Sequence, residues 1–276
     1  MSILTLTSDF GTKDYAVAAV KARLLNLKSD LIMVDISHEI APYNLVEAAF
    51  IVNAVYRQFP PKSIHLIGVD AEQSHAQKHL IVQIDDQIFI GADNGFFSLL
   101  QSVSPIQKII EIKHPSSESS IFPMKDVFCE IAVNIAQQVP LEKFGKTIQT
   151  VKEWKQINPD FSNSNEIIGH IVYVDRFGNL ITDISKTLFQ QKVQNKKFEI
   201  KASSSKINKV YNKYDDFAVT ESSVEIIKNK AGKAMAVFNS LDLLEIALYK
   251  SNPLHGGSAS LLLGLNVGDS IRIICD

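Results

Sequence analysis

Through the first half of the 276-residue chain, apolar runs of strand length alternate with stretches of helical periodicity. The pattern predicts strands at residues 3–7, 31–36, 63–69, 79–84 and 87–90, the first three of them buried. Helices are predicted at residues 15–27, 45–59, 95–102 and 126–138, and the second ends at Pro60-Pro61 because proline cannot continue a helix. The last two strands form a hairpin that turns at Asp85-Asp86. The alternation predicts an α/β layer architecture.

The pattern changes near residue 150, after which short β-rich runs replace the alternation. Residues 156–166 are rich in Asn, Ser and Pro and are typical of a linker. Strands are predicted at 167–174, 180–184, 197–200, 234–239 and 270–274, separated by loop signals at 212–216 and 251–257. We therefore predict an α/β N-terminal domain at 1–155, and a C-terminal domain at 167–276 that is a small antiparallel barrel or sandwich.

Composition narrows the class of protein. The hydrophobic fraction is 46% and the charged fraction 21%, as in folded globular enzymes, and the net charge of −2 gives no sign of nucleic-acid or membrane-surface binding. No secretory signal and no membrane-spanning apolar run is visible, so we expect a cytoplasmic protein. Cys129 and Cys275 have apolar neighbours that indicate core packing, and no zinc-ligand spacing is present.

A polar turn follows the first predicted strand and precedes the first predicted helix. It contains Ser8-Asp9-Phe10-Gly11 and Asp14. In an open α/β sheet, ligands bind beyond the carboxyl ends of the strands. A carboxylate there can accept two hydrogen bonds from the vicinal hydroxyls of a ribose. The alternative is that Asp9 and Asp14 only cap the helix, but similar turns recur along the chain and favour a ligand site.

Two further polar turns follow strands of the first half. Asp70 ends the strand at 63–69 and lies on the same rim as Asp9 if the two strands are parallel. There it could orient a water molecule or polarise a nucleophile; the alternative is a turn aspartate. Asp93-Asn94-Gly95 separates a strand from a helix. Asn-Gly often signals a hairpin, but these small residues would also let backbone N–H groups approach a ligand.

Other loops carry groups suited to a flat ring or an amino acid. Tyr43 could stack on a ring, although its loop also suits helix entry, which we prefer from this segment alone, with His38 as a structural histidine. Asp175-Arg176-Phe177-Gly178-Asn179 repeats the turn pattern in the second half, with an ordinary β-turn as the alternative. Gly256-Gly257-Ser258-Ala259-Ser260 could present backbone groups to a base or be a flexible loop that enters a helix.

Together these segments resemble those of the S-adenosyl-L-methionine hydroxide adenosyltransferase family, whose relatives include fluorinating and chlorinating enzymes. The resemblance covers nearly the whole chain, and six motifs in the family's order are more specific than any one of them. The motifs are Ser8-Asp9-Phe10-Gly11 with Asp14, Asp35 to Glu39 continuing to Pro42-Tyr43, Val69-Asp70, Asp93-Asn94-Gly95 with Ser98, Asp175 to Asn179 with Thr182, and Ser240 with Leu244 to Ala247 and Gly257-Ser258-Ala259.

The resemblance implies an N-terminal α/β domain, a C-terminal β-barrel and a homotrimer with each ligand between one subunit's N-terminal domain and its neighbour's C-terminal domain. The implied reaction is attack of water or hydroxide on the ribose C5′ of S-adenosyl-L-methionine, which forms adenosine and methionine without a metal or redox cofactor. Since the sulfonium is already an activated leaving group, the protein must mainly align and activate the water. The implied substrate-binding residues are Asp9, Asp14, Tyr43, Asp93, Asn94, Phe122, Asp175, Phe177, Asn179, Ser240, Ser258 and Ala259.

The chain departs from the family at its catalytic positions. Asp70 matches the aspartate of the expected Asp-Arg-His set, but Gln77 stands at the arginine position and Pro123 at the histidine position. Nearby residues that could replace them are Lys78, His75, His79 and Lys125, although an ammonium is not equivalent to a guanidinium. Smaller departures are Glu72 at a glycine, Lys125 at an arginine and Asp183 at an asparagine position. We predict that Asp70 holds the water, aided by Lys78 or by a histidine such as His79.

Three other functions stay open. The first is a non-catalytic protein that senses S-adenosylmethionine or adenosine and keeps Asp9, Tyr43, Asp93 and Asn179 for binding. The second is an enzyme for another adenosine-containing substrate, although the turn at 175–179 argues for an amino-acid end on the ligand. A purely structural trimer gives no reason for the polar turns. Halogenation is disfavoured because Asp70 would place a negative charge where a halide should bind.

Overall fold

The computed structural model describes residues 3–101, 104–116, 119–155, 158–218, 230–255 and 257–276. The chain divides into two compact units, residues 1–156 and 157–276. Four positions used in the sequence analysis lie outside the described residues: Ser102 at the end of a predicted helix, Gln156 and Ile157 at the start of the predicted linker, and Gly256.

The first unit is built on a seven-stranded mixed sheet. In chain order its strands are β1 (Ile3–Ser8), β2 (Ile32–Ser37), β3 (Ile64–Gly68), β4 (His79–Ile84), β5 (Gln87–Ala92), β6 (Ile106–Ile112) and β7 (Gly145–Ile148). Their spatial order is β2-β1-β3-β5-β4-β6-β7. The strands β2, β1, β3 and β5 are parallel, whereas β4, β6 and β7 are joined by antiparallel pairings.

Helices cover both faces of this sheet, as a parallel sheet requires. They are α1 (Ala16–Leu27), α2 (Leu45–Val55), α3 (Phe96–Gln101) and α4 (Cys129–Ala136). One apolar core joins the sheet to α1 and α4, and a second joins it to α2 and α3. α2 begins where the Asn44 side chain accepts from the backbone N of Glu47, and it ends at Val55, four residues before the predicted end.

Two sequence expectations for this unit need correction. The prediction of a buried second strand is wrong, because β2 is an edge strand with one neighbour and exposes Ile32 and Val34. The helix predicted at 126–138 is not continuous, because a π-helical turn, Met124–Phe128, precedes α4. The other predicted strands and helices are present with ends shifted by a few residues.

The second unit is a nearly closed eight-stranded barrel. Its strands are β8 (Glu166–Val174), β9 (Leu180–Ser185), β10 (Phe198–Ala202), β11 (Ser205–Ile207), β12 (Val210–Tyr211), β13 (Ala234–Phe238), β14 (Leu243–Leu248) and β15 (Ser270–Cys275). They are ordered β11-β10-β15-β8-β9-β14-β13-β12, and the short helices are α5 (Lys186–Val193) and α6 (Ala259–Leu263). The expectation of a purely antiparallel barrel is wrong at one pair, since β12 lies parallel to β13.

The cores of the two units account for both cysteines. Cys129 is buried in the first unit and Cys275 in the second, and both thiols are free. The prediction that they pack in the core is confirmed. No helix in the described part of the chain is long and apolar enough to cross a bilayer.

Candidate functional site

The topology of the first sheet creates a crevice at the carboxyl end of β1. The chain places β2 on one side of β1 and β3 on the other, so the strand order reverses at this point. Open α/β sheets bind ligands at such switch points. Asp9 follows β1, Asp70 follows β3 and Asn94 follows β5, and because these strands are parallel, the three residues lie on one rim.

Asp70 is held by its backbone in a strained conformation. Its φ is 45°, in the left-handed region that a non-glycine residue seldom adopts. Its carbonyl oxygen accepts from Gln77 Nε2 at 2.8 Å and from Asn94 Nδ2 at 3.0 Å. Gln77 also donates to the carbonyl of Glu72, and Asn94 to the carbonyl of Val69. Gln77, which stands at the family's arginine position, is therefore uncharged and binds the backbone of the loop that carries Asp70.

Negative charge collects around the Asp70 carboxyl group. Burial raises its pKa, and the nearby carboxylates of Asp9 and Glu72 raise it further, whereas Lys152 lowers it. Burial also raises the pKa of Asp93, again opposed by Lys152. The rim thus concentrates acidic groups, as a site for a cationic ligand would require.

Asp9 connects the first turn to the loop that carries Tyr43. Its Oδ2 accepts from the backbone N of Tyr43 at 2.9 Å, and Gly11 N donates to the carbonyl of His38 at 2.7 Å. Tyr43 has a φ of 63° and its side chain is 73% exposed, so its ring stands in solvent beside Asp9. Asp14 instead accepts from Ala16 N, the first residue of α1, as in the capping alternative.

A buried polar chain supports this turn from below. Ser8 Oγ lies 2.7 Å from His38 Nδ1, and His38 Nε2 lies 3.2 Å from Asp35 Oδ1. Burial opposes ionisation of Asp35, but hydrogen bonds with Lys21 and His38 lower its pKa below the usual value. Because Ser8 and His38 are buried, this chain fixes the geometry of the rim and is not open to a substrate.

An aromatic wall closes another side of the rim. Phe122 packs edge-on to Phe10 with ring centroids 5.3 Å apart. Lys125 Nζ lies 5.5 Å from the centre of the Phe122 ring and 3.2 Å from Asp126 Oδ1. Pro123, at the family's histidine position, is buried and begins the π-helical turn. This segment contributes an apolar surface and no proton-transfer group.

Lys78 and His79 were proposed to aid Asp70. Within the described residues, no hydrogen bond or ion pair joins either side chain to the Asp70 carboxylate. His79 is buried in β4, with Nε2 2.9 Å from the carbonyl oxygen of Ala71. Burial lowers the pKa of His79, so the ring is neutral near pH 7 and has a structural partner. Lys78 contacts the rim through its backbone carbonyl, which accepts from Asp93 N at 2.7 Å.

The sequence analysis missed Lys152. Its backbone N donates to Asp93 Oδ1 at 2.7 Å, and its charge acts on both Asp70 and Asp93. Two residues later, Trp154 N donates to Ser98 Oγ, and the indole lies against Gly95. Gly95 has a φ of 110°, and a Cβ there would lie 2.9 Å from the ring. No motif marks this segment, so no sequence signal pointed to it.

In the second unit, the turn from Asp175 to Asn179 is organised by its first residue. Asp175 Oδ1 accepts from the backbone N of Phe177 and of Asn179, both at 2.8 Å. Asp175 Oδ2 accepts from Asn179 Nδ2 at 3.1 Å. The Phe177 ring at the tip is 65% exposed. Three hydrogen bonds to the Asp175 carboxylate therefore hold the turn together, and it presents one aromatic ring.

Two sequence motifs meet at this turn. Ser260 N donates to the carbonyl of Gly178 at 3.0 Å, and a Cβ on Gly178 would lie 2.2 Å from that of Ser258. Ser258 also caps α6 by accepting from Leu261 N, and Ala259 is buried directly behind it. The structure thus brings Ser258 and Ala259 beside the Asp175 turn, whereas Ser240 is an exposed residue that follows Asn239.

A buried acid that the sequence analysis did not select lies beneath the turn. Glu245, in β14, accepts from the hydroxyl of Tyr214. Burial raises the pKa of Glu245, and the charge of Asp175 raises it further, against hydrogen bonds from Tyr214, Asn239 and Asn179. Burial and then Glu245 also raise the pKa of Tyr214. The second unit therefore has an acidic site of its own.

A mixed α/β unit with an acidic rim at its switch point, followed by a barrel unit with a second acidic turn, defines a two-domain protein. Family models identify the two parts. Residues 4–145 match the SAM hydroxide adenosyltransferase N-terminal domain, and residues 169–272 match the C-terminal domain of the same family. The chain belongs to the SAM hydroxide adenosyltransferase family.

Individual relatives agree with this family. The chain is 31% identical over 192 residues to the (R)-S-adenosyl-L-methionine hydrolase of Methanocaldococcus jannaschii, covering 67% of this chain and 68% of the relative. It is 25% identical over 278 residues to the enzyme of the same name from Thermus thermophilus, covering 97% of each chain. The crystal structure of an uncharacterized conserved protein from Thermotoga maritima has the same fold, with a TM-score of 0.84, 24% identity and coverage of 99% and 100%.

Proposed function

We propose that this protein hydrolyses S-adenosyl-L-methionine to adenosine and L-methionine. The observation that carries the proposal is the Asp70 carboxylate, half-buried at the switch point beside Asp9. Family membership and the names of the two relatives support this substrate. Those names also favour the (R) epimer at the sulfonium centre.

The reaction needs one base and no acid. The oxygen of a water molecule forms a bond to ribose C5′ while the C5′–S bond breaks, and the bonding electron pair goes to sulfur to give the neutral thioether of methionine. Asp70 accepts a hydrogen bond from the water, takes its proton as the bond forms and releases that proton to solvent. Because the sulfonium leaves without protonation, Pro123 at the histidine position does not prevent the reaction.

The remaining residues are proposed to bind the two ends of the substrate. In the first unit, Asp9 would accept from the ribose hydroxyls, and Tyr43 would stack on a flat ring. Further nucleoside contacts are assigned to Asp93, Asn94 and Phe122. In the second unit, residues assigned to substrate binding are Asp175, Phe177, Asn179, Ser240, Ser258 and Ala259. Asp14 is likewise assigned to substrate binding in the first unit, and its Oδ1 also accepts from Ala16 N at 3.0 Å.

The experiment is to incubate the protein with each sulfonium epimer and to follow adenosine and methionine by chromatography. We expect equimolar products from the (R) epimer and a loss of at least about 10²-fold in kcat for Asp70→Asn. Glu72→Gln is the matched control, because it removes an exposed carboxylate from the same loop and should leave kcat within a few-fold. Absence of product from both epimers, or full activity in Asp70→Asn, would contradict the proposal.

One observation favours a second candidate, a binding protein without turnover. Gln77 and Pro123 carry neither the charge nor the proton-transfer group of the family positions, and Gln77 is already engaged with backbone carbonyls. Titration calorimetry distinguishes the two functions. Saturable binding of S-adenosylmethionine with unchanged ligand recovered afterwards would establish the binding protein.

We further propose that the protein is a homotrimer with each site between subunits. Exposed apolar side chains on the second unit support an oligomer, because water contact with such groups is unfavourable. They are Leu254, Leu261 and Leu262, exposed by 85%, 67% and 58%. A cytoplasmic location and turnover without a metal or cofactor stay predictions from the sequence.

A further inference from the structure

The acidic rim of the first unit needs a positive charge. The charged groups that act on the Asp70 carboxyl are Asp9 after β1, Glu72 on its own loop and Lys152 from the segment before the second unit. Lys152 also acts on Asp93, on the loop after β5. Burial of Asp70 and the two nearby carboxylates favour its protonated form. A protonated Asp70 could not take the proton of the attacking water, so a cation near Asp70 favours the ionised form that the proposed reaction needs.

Two of the cations suggested by the sequence, Lys125 and His79, are engaged in other contacts. Lys125 is paired with Asp126 at 3.2 Å and lies over the Phe122 ring. His79 is buried and neutral, with Ala71 as its partner. The amide of Gln77 is used on the carbonyls of Asp70 and Glu72. None of these three groups offers Asp70 a positive charge. Lys78, whose backbone carbonyl accepts from Asp93 N, and His75 are the alternatives to a cation from another part of the chain.

Lys152 is fixed next to this rim by contacts that do not use its ammonium group. Its backbone N donates to Asp93 Oδ1 at 2.7 Å, and Trp154 N donates to Ser98 Oγ at 2.8 Å. Asn94, the residue after Asp93, donates to the carbonyl of Asp70 at 3.0 Å. The segment at 152–154 and Asp70 are thus attached to the same short loop, and the flexible side chain of Lys152 stays available for the rim.

We propose that Lys152 supplies the positive charge of this site, as a positioning residue that keeps the Asp70 carboxylate ionised and ready to accept from the attacking water. The Lys152 ammonium supplies the positive charge that the Gln77 amide lacks, although Lys152 lies 82 positions after Asp70 in the sequence. Its catalytic meaning rests on the proposed hydrolysis, whereas its effect on Asp70 can be measured in the protein without substrate.

The experiment compares Lys152→Met, Lys152→Arg and Lys78→Met by carbon-detected NMR titration of the aspartate carboxyl groups without ligand. Asp70→Asn identifies the Asp70 signal. We expect the pKa of Asp70 to rise in Lys152→Met and to stay near the wild-type value in Lys152→Arg and Lys78→Met. Each variant keeps the backbone N–H that binds Asp93, so the loop should remain folded.

Turnover supplies the second measurement. In Lys152→Met the acidic limb of the pH profile should move to higher pH, and kcat near pH 6 should fall about tenfold with KM nearly unchanged. Lys152→Arg should restore the wild-type pH profile and kcat, which a purely structural role for the side chain would not predict. An unchanged Asp70 titration in Lys152→Met, or a shift in Lys78→Met instead, would overturn the assignment. If wild type binds S-adenosylmethionine without turnover but the titration shifts, the hydrolase proposal fails while the assignment of Lys152 stands.

Discussion

His65 lies in β3 at the centre of the first sheet and is completely buried. Gln87 donates its amide to the carbonyls of Tyr56 and Phe59, so its Oε1 faces His65 Nε2 as an acceptor at 3.1 Å. The other ring nitrogen, Nδ1, lies 2.7 Å from the hydroxyl of Thr5, which can donate to it. The neutral ring with its proton on Nε2 is therefore fully satisfied. Burial lowers the pKa of His65 from 6.5 to about 4.

This histidine predicts a loss of stability in mild acid. The unfolded chain binds a proton below about pH 6.5, whereas the folded chain does so only near pH 4, so stability is full above 6.5 and falls between these values. From pH 7.5 to 5 the contribution of His65 is a loss of about 2 kcal/mol. Urea unfolding followed by Trp154, the single tryptophan, reports on the first unit.

His65→Gln should flatten this pH dependence, although its stability at pH 7.5 will itself be lower. The matched control is His255→Gln, which changes an exposed histidine and should leave the slope as in wild type. Equal slopes in wild type and His65→Gln would show that His65 does not carry the effect.

At the scale of single residues, the sequence predicted those candidate site residues that closely follow a strand. Asp9, Asp70 and Asn94 were found because a polar turn after an apolar run marks the end of a strand, and adjacent parallel strands end at one rim. Lys152 and Tyr214 were missed because each belongs to a segment without a motif and reaches its acidic partner through tertiary folding. The sequence pattern likewise could not predict which groups the Gln77 side chain contacts.

Among the elements, the β4–β5 hairpin shows how local chemistry decides a turn. Asp85 and Asp86 both have positive φ, 48° and 59°, as the two central residues of a type I′ turn require. Asp85 also has a tertiary role, since its Oδ2 accepts from the hydroxyls of Tyr56 and Ser104 and from Arg57 Nε. The hydrogen bond from Ser104, ahead of those from Tyr56 and Arg57, lowers the pKa of Asp85.

The two aspartates should respond in opposite directions to glycine. Asp86→Gly relieves the left-handed strain at an exposed position and should stabilise the first unit by several tenths of a kcal/mol up to about 1 kcal/mol. Asp85→Gly relieves similar strain but leaves three donors without their acceptor, so it should destabilise by about 1–3 kcal/mol. Urea unfolding of both variants, followed by Trp154 fluorescence, checks this pair. A stabilising Asp85→Gly would refute the tertiary role of its carboxylate.

Helices and strands were predictable where the hydrophobic period and the turn or breaking residues at the ends indicate the same element, as in the β4–β5 hairpin and in α2. The missed elements are β6, β7, β11, β12, β14 and α5. Several of these are too short to show a period, and β6 mixes Lys and Glu with apolar residues because it lies near the edge of the sheet. β2 looked buried because its sequence is apolar, and only the strand order shows that it is an edge.

At the scale of the whole molecule, the alternation of strands and helices was enough to predict two architectures in one chain. The order of the strands was not, because strand pairing depends on contacts between residues far apart in sequence. Helices on both faces explain why β3 is buried throughout and β1 is buried from Leu4 to Ser8. In the barrel, by contrast, inward positions fall on every second residue of a strand such as β8.

The arrangement of subunits gives the last prediction. Leu254 and Leu261 each expose an apolar side chain on the second unit, and covering one leucine contributes about 1.5–3 kcal/mol. We expect sedimentation equilibrium to give a trimer, and Leu261→Asp to shift it towards monomer. Val267→Asp, at a residue that is 53% exposed outside this segment, is the control and should keep the trimer.

Turnover connects this assembly to the site. If each site uses the first unit of one subunit and the second unit of its neighbour, kcat per chain should fall on dilution through the same concentration range in which the trimer dissociates. Leu261→Asp should lower kcat in parallel with the loss of trimer, while it keeps the backbone N–H that donates to Ser258 Oγ. A wild-type protein that stays monomeric and fully active at every concentration would contradict a site shared between subunits.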